Sequence, residues 1–142
     1  MKSKPVVMEQ FSTVHTSFVL NFTFTNNITI LTGISASGKT VSFSMIRECM
    51  ALDTRILCLN YLDSQRDIGE LLRQAKGKLI VIDNADILLE DADRKYISLD
   101  GNNQYLLIGR NPQNLFTTKE NLFELASRKD GEQTGFWLRP YL

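Results

Sequence analysis

The chain has one histidine and two cysteines in 142 residues. That scarcity removes several chemistries at once. A histidine-based triad has only His15 to work with, and no CxxC or Cys/His cluster offers zinc ligands. Cys49 and Cys58 form no framework and read as reduced core residues of a cytoplasmic protein. Net charge is also lacking: 16 basic residues balance 16 acidic ones, with no block of either sign. Nothing therefore marks a nucleic acid or an anionic membrane as partner, although a neutral chain can still carry a local basic patch. No apolar run approaches the length of a membrane span. The N-terminal "MKSKPVVMEQFSTVHTSF" has basic residues but no apolar core of a signal peptide, so a cytoplasmic location is expected. What the chain does have is apolar residues, 43% of the total, enough for the core of one domain over residues 1–142.

Phe18, Leu20, Phe22 and Phe24 alternate with polar residues and predict a half-buried strand. Asn26-Asn27 suits a tight turn into a second strand, Ile28 to Thr32, which makes an N-terminal antiparallel hairpin. A helix is expected from about Lys39 to Ala51, with Val41, Met45 and Cys49 on one face. "RILCLNY" is an apolar strand. "DSQRDIGELLRQAKG" is a helix with Ser64 and Asp67 as a capping box and Gly77 as a C-cap. "KLIVID" and "QYLLIGR" are further strands, separated by one helix or two short ones in "ADILLEDADRKYIS". "TTKENLFELASRK" reads as a helix capped by Thr117 and Glu120, and "TGFWLRPYL" as a last strand. Apolar strands alternating with helices predict an α/β fold: a mostly parallel sheet covered by helices on both faces.

Between the second strand and its helix stands "GISASGKT", Gly33 to Thr40, which matches G-x-x-x-x-G-K-[ST]. Gly33 and Gly38 let the backbone turn tightly and approach a ligand. The N–H groups of Ser35, Ala36, Ser37, Gly38, Lys39 and Thr40, beyond Ile34, can wrap a phosphate at a helix N-terminus. Lys39 would set its ammonium against the β- and γ-phosphates, and the Thr40 hydroxyl would ligate Mg²⁺.

The run "LIVIDNAD", Leu79 to Asp86, gains meaning beside that loop. It resembles the Walker B strand of the P-loop NTPase superfamily, and the resemblance implies that Asp83 holds Mg²⁺ through a water. The strand-helix unit between the two motifs is similar to the branch that inserts a strand between them, which includes AAA-like and ABC/RecF-like ATPase cores. The resemblance implies a P-loop NTPase core, ATP and Mg²⁺ as ligands, and a sensor at Arg110 or Asn111; the helical lid domain usual in AAA-type proteins is not expected, because the sequence closes as a strand. In that branch the residue after the Walker B Asp is commonly a catalytic Glu. Here it is Asn84, which can orient water but cannot take its proton, and Asp86 is the nearest carboxylate for that role. The expected function is therefore slow or partner-dependent ATP hydrolysis driving a conformational or assembly switch, in a homo-oligomer or with a protein partner. The alternative is a small-molecule kinase, with Arg128 and Lys129 as its basic lid. In ABC-like heads an aromatic upstream of the hairpin stacks on adenine, a place the resemblance gives to Phe11 or His15; otherwise they are packing or surface residues.

Overall fold

The computed structural model describes residues 4–33, 36–111 and 119–141. Eight strands form one sheet: β1 (Gln10–His15), β2 (Phe18–Thr23), β3 (Ile28–Thr32), β4 (Ile56–Leu59), β5 (Leu79–Ile82), β6 (Gln104–Ile108), β7 (Leu122–Asp130) and β8 (Gln133–Pro140). Among the described residues four α-helices join them: α1 (Ala36–Cys49), α2 (Ile68–Gln74), α3 (Ala85–Leu88) and α4 (Asp91–Leu99). The order across the sheet is β1-β2-β8-β7-β3-β6-β5-β4.

The expected mostly parallel sheet with helices on both faces does not form. The sheet is mixed and curls into a half-barrel, with four short helices. Its two longest ladders, β1–β2 and β7–β8, are antiparallel, while the parallel ladders are three or four residues long. On the β1-β2-β8-β7 half the outward positions Ser12, Val14, Asn21, Trp137 and Arg139 are exposed instead of lying under a helix.

Two further expectations are corrected. From Leu122 on, the segment read as a C-terminal helix is β7, because the two-residue turn Gly131–Glu132 pairs Phe123 to Asp130 with β8; Thr117, read as its cap, lies outside the described residues. Gly131 supplies the positive φ, 64°, that a tight hairpin needs. The N-terminal hairpin is β1–β2, closed at Thr16–Ser17, and not β2–β3. Asn26 and Asn27 are not its turn. They are buried pins: Asn26 Nδ2 donates to Glu120 O, and Asn27 Nδ2 to Asn103 O at 2.8 Å. The cap of α2 is Asp67, whose side chain accepts from Glu70 N. The capping box lies upstream, at Asn60 and Asp63.

Alternation along the strands splits the core in two. Leu31, Leu79, Val81, Leu106 and Ile108 face the cluster under α1, with Phe43, Met45, Ile46, Phe22 and Phe136. Ile30, Ile80, Ile82, Tyr105 and Leu107 face the other, with Ile68, Leu72, Leu89 and Ile97. The sheet thus holds the carboxyl ends of β3, β6 and β5 side by side, and the candidate residues lie there.

Candidate functional site

β3 is held by parallel ladders to β6 and β7 and ends at Thr32. Gly33 follows at φ 138°, a backbone conformation side chains rarely adopt. A Cβ there would point at Lys39 Nζ, 4.0 Å away. Ile34 and Ser35, and the side chains of Ala36 and Ser37, lie outside the described residues. Gly38 is a packing position as well as a loop one: a Cβ on it would stand 2.8 Å from Leu125 Cδ2 and 3.3 Å from Phe136 Cε1. The β7–β8 hairpin therefore rests directly on the first turn of α1.

Lys39 is only 6% exposed, and its ammonium donates to Gly33 O. Burial pushes its pKa down, as does nearby Arg110, while Asp83 and Asp86 pull it up. Thr40 is exposed on the same turn.

Asp83 stands at the end of β5, its N–H bonded to Leu59 O of β4 at 2.9 Å. Burial raises its pKa, Asn84 N at 3.0 Å from its Oδ1 and the charge of Lys39 lower it, and Asp86 raises it. Lys39, Asp83, Asp86 and Arg110 thus form one electrostatic group. β6 lies between β3 and β5, so its end, Gly109 to Asn111, separates the loop from Asp83.

Asn84 turns through the left-handed region at φ 53° and begins α3. It lines a recess of about 350 Å³ with Tyr61, Arg66, Asp67 and Glu90, apart from the cavity that Lys39 lines. Asp86, in the first turn of α3, is engaged by its neighbours. Its Oδ2 accepts from Asn111 N at 2.9 Å, and its carboxyl fills the space a Gly109 side chain would need. Arg110 and Asn111 are exposed beyond β6.

The cavity beside Lys39 measures about 520 Å³ and is walled by Phe18, Val41, Leu125 and Phe136, with Glu124, Ser127 and Thr134 from the hairpin. Phe11 is not at its mouth but buried in the α1 core. His15 is on the surface at the end of β1, 3.4 Å from Glu48. Arg128 and Lys129 belong to the β7 ladder opposite Gly135 and Thr134, not to a lid loop.

Two groups of residues escape a reading of the sequence. Gly109 shows only one local sign, a glycine at a strand end, which often marks a close approach. The cavity residues of β7 and β8 are signalled only by the Asp130-Gly131 turn between two runs that can pair. Among the described residues no helix is long and apolar enough to cross a membrane. A scan against protein-family models finds no match, and a search of curated proteins finds none.

Proposed function

We propose that the chain binds ATP with Mg²⁺ and that its own hydrolysis of ATP is slow, so that the bound nucleotide acts as a conformational or assembly switch. The observation that carries this reading is Lys39. A buried ammonium turned back on Gly33 O, in the field of half-buried Asp83, is a cation held where anionic oxygens could replace the carbonyl. The fit of a phosphate group is supported by Gly33, whose missing Cβ keeps the space before the ammonium open.

Lys39 would hydrogen-bond the phosphate oxygens, and the Thr40 hydroxyl and the Asp83 carboxylate would hold the metal, Asp83 through a water. When bound there, the metal would supply positive charge against the phosphates. Among the described residues, neither Asn84 nor Asp86 is a free general base beside that group. Asn84 has no proton acceptor of the needed basicity and lines the other recess, and Asp86 is engaged by Asn111 N. A positioned base accounts for roughly 10²–10⁴ in rate, so turnover waits on one supplied from outside. Tyr61 and Ile87, 63% and 82% exposed at the Asn84 recess, give a partner or second copy apolar surface to dock on close to Asp83. The small-molecule kinase reading has no lid to rest on among the described residues.

The test is a titration with ATP in the presence and absence of Mg²⁺. Wild type should bind saturably, and Lys39→Ala should bind at least tenfold more weakly, in line with roughly 1.5–3 kcal/mol for a hydrogen bond to a charged group. Absent saturation, or equal binding by the variant, ends the nucleotide reading.

A further inference from the structure

The two edges of the sheet are finished differently. At the β4 edge the outward N–H groups are closed within the chain. Ile56 N donates to Asp53 O at 3.2 Å and Cys58 N to Met50 Sδ at 3.3 Å, and just past the strand Asn60 N donates to Asp63 Oδ2 at 2.9 Å. β1 is the other edge. Phe24 N donates to Glu9 O at 2.8 Å, which fixes the phase of the β1–β2 ladder. Glu9, Phe11, Thr13 and His15 therefore turn their backbone groups to β2, and Gln10, Ser12 and Val14 turn theirs outward. Among the described residues no hydrogen bond takes those outward groups. The usual protections of an open edge are missing as well. Residues 10–17 contain no Lys, Arg, Asp, Glu or Pro, and the register from Gln10 to His15 runs without a bulge.

Such an edge is a template for another strand, and its symmetry points to an identical one. A second copy turned about a two-fold axis through Ser12 meets β1 antiparallel. Ser12 then lies opposite Ser12 of the partner subunit, and Gln10 opposite Val14 of the partner subunit. Outward backbone groups face outward groups at each of these positions, so all of them are paired. No charged side chain stands on the axis to meet its own image. Glu9 falls opposite His15 of the partner subunit, a carboxylate against an imidazole. Val14, 65% exposed in the single chain, gains the methylenes of Gln10 of the partner subunit as cover. We propose that the chain forms a two-fold dimer through β1, which joins two eight-stranded sheets into one. This does not depend on what Gly33 to Thr40 binds. One strand pair, about 20 Å long at roughly 3.4 Å per residue, is a small interface. The dimer is accordingly weak, with a Kd between about 1 µM and 1 mM.

Sedimentation equilibrium on the whole chain, from about 5 µM to about 1 mM, should show a reversible monomer–dimer equilibrium. Ser12 is exposed, so Ser12→Lys should leave the circular dichroism unchanged. It sets two ammonium groups on the axis and should weaken the dimer at least tenfold. Because a strand variant could disturb the fold, the register is read separately by cross-linking. Ser12→Cys, oxidised with diamide, should form a disulfide dimer well above the wild-type background, since facing residues of a hydrogen-bonded pair have Cα atoms about 5.5 Å apart. Val14→Cys alone should stay at background, yet cross-link when mixed with Gln10→Cys. A wild type that stays monomeric over the whole range overturns the β1 interface. So does a dimer indifferent to Ser12→Lys, or Val14→Cys alone cross-linking as well as Ser12→Cys.

Discussion

A methyl group on Gly109 would stand 2.7 Å from Asp86 Oδ1 and 2.9 Å from its Cγ. The carboxyl cannot retreat without releasing Asn111 N. Gly109→Ala should therefore destabilise the protein by about 1–3 kcal/mol, the usual cost of overpacking. In an Asp86→Ala background the same change should be nearly neutral, and a double-mutant cycle by urea denaturation measures the difference. Asp86→Asn keeps an acceptor for Asn111 N, so it should leave phosphate release unaltered. Abolished release in that variant would instead make Asp86 a proton acceptor. Asp100 gives a pH signature remote from this site. Its burial works to raise its pKa, but the Tyr105 hydroxyl at 2.6 Å, Asn103 Nδ2 at 2.8 Å and Asn102 N at 2.9 Å outweigh that and hold it below the usual carboxylate value. A depressed acid contributes its stability fully above the unfolded value, about 3.9, and loses it as pH falls through the folded value. The urea midpoint should drop below about pH 4, and drop less steeply in Asp100→Asn.

At the scale of elements, the β1–β2 turn carries a correctable strain. Thr16 is exposed and sits at φ 51°, where a β-branched residue is disfavoured. Thr16→Gly should raise stability by about 0.5–1 kcal/mol, read as a higher thermal midpoint. The same turn explains why β1 is invisible in the sequence. "VHTSF" contains no Gly, Asn or Asp, and Phe11 and Val14 do not alternate. β2 is legible because Phe18, Leu20 and Phe22 do. β7 misleads for the opposite reason: Leu122, Leu125 and Ala126 fall at helical spacing, and only pairing with β8 and β3 makes the segment a strand. Local periodicity gives α1, α2 and the apolar strands β3 to β6. It cannot report which strand lies beside which.

Across the whole molecule, buried amides tie distant segments together. Gln104 is fully buried, accepts from Val7 N at 3.1 Å and Met8 N at 2.9 Å, and donates to Met8 O at 2.9 Å. Gln104→Leu would leave those backbone groups unpaired. It should cost about 2–4 kcal/mol by chemical denaturation and speed proteolysis of the segment before β1. None of this is written in "QYLLIGR", where Gln104 reads as a strand's polar first residue. The candidate site divides along the same line. Lys39, Thr40 and Asp83 are legible because their motifs are contiguous. The Asp86–Gly109 contact and the hairpin wall of the cavity join residues far apart in sequence and exist only after folding.

β3, the strand that leads into Gly33, lies between two neighbours that are both synthesised long after it. Leu31 is flanked by Ile108 of β6 and Phe123 of β7. Contacts of such long sequence separation form slowly, because the loops they close must be ordered first. While the chain is being made, β1, β2 and α1 can emerge and collapse, yet both edges of β3 stay open until β6 and then the β7–β8 hairpin arrive. Gly38 meets Leu125 and Phe136 only at that last step. The stretch with the clearest local signature in the sequence, Gly33 to Thr40, is thus among the last parts of the chain to gain its neighbours.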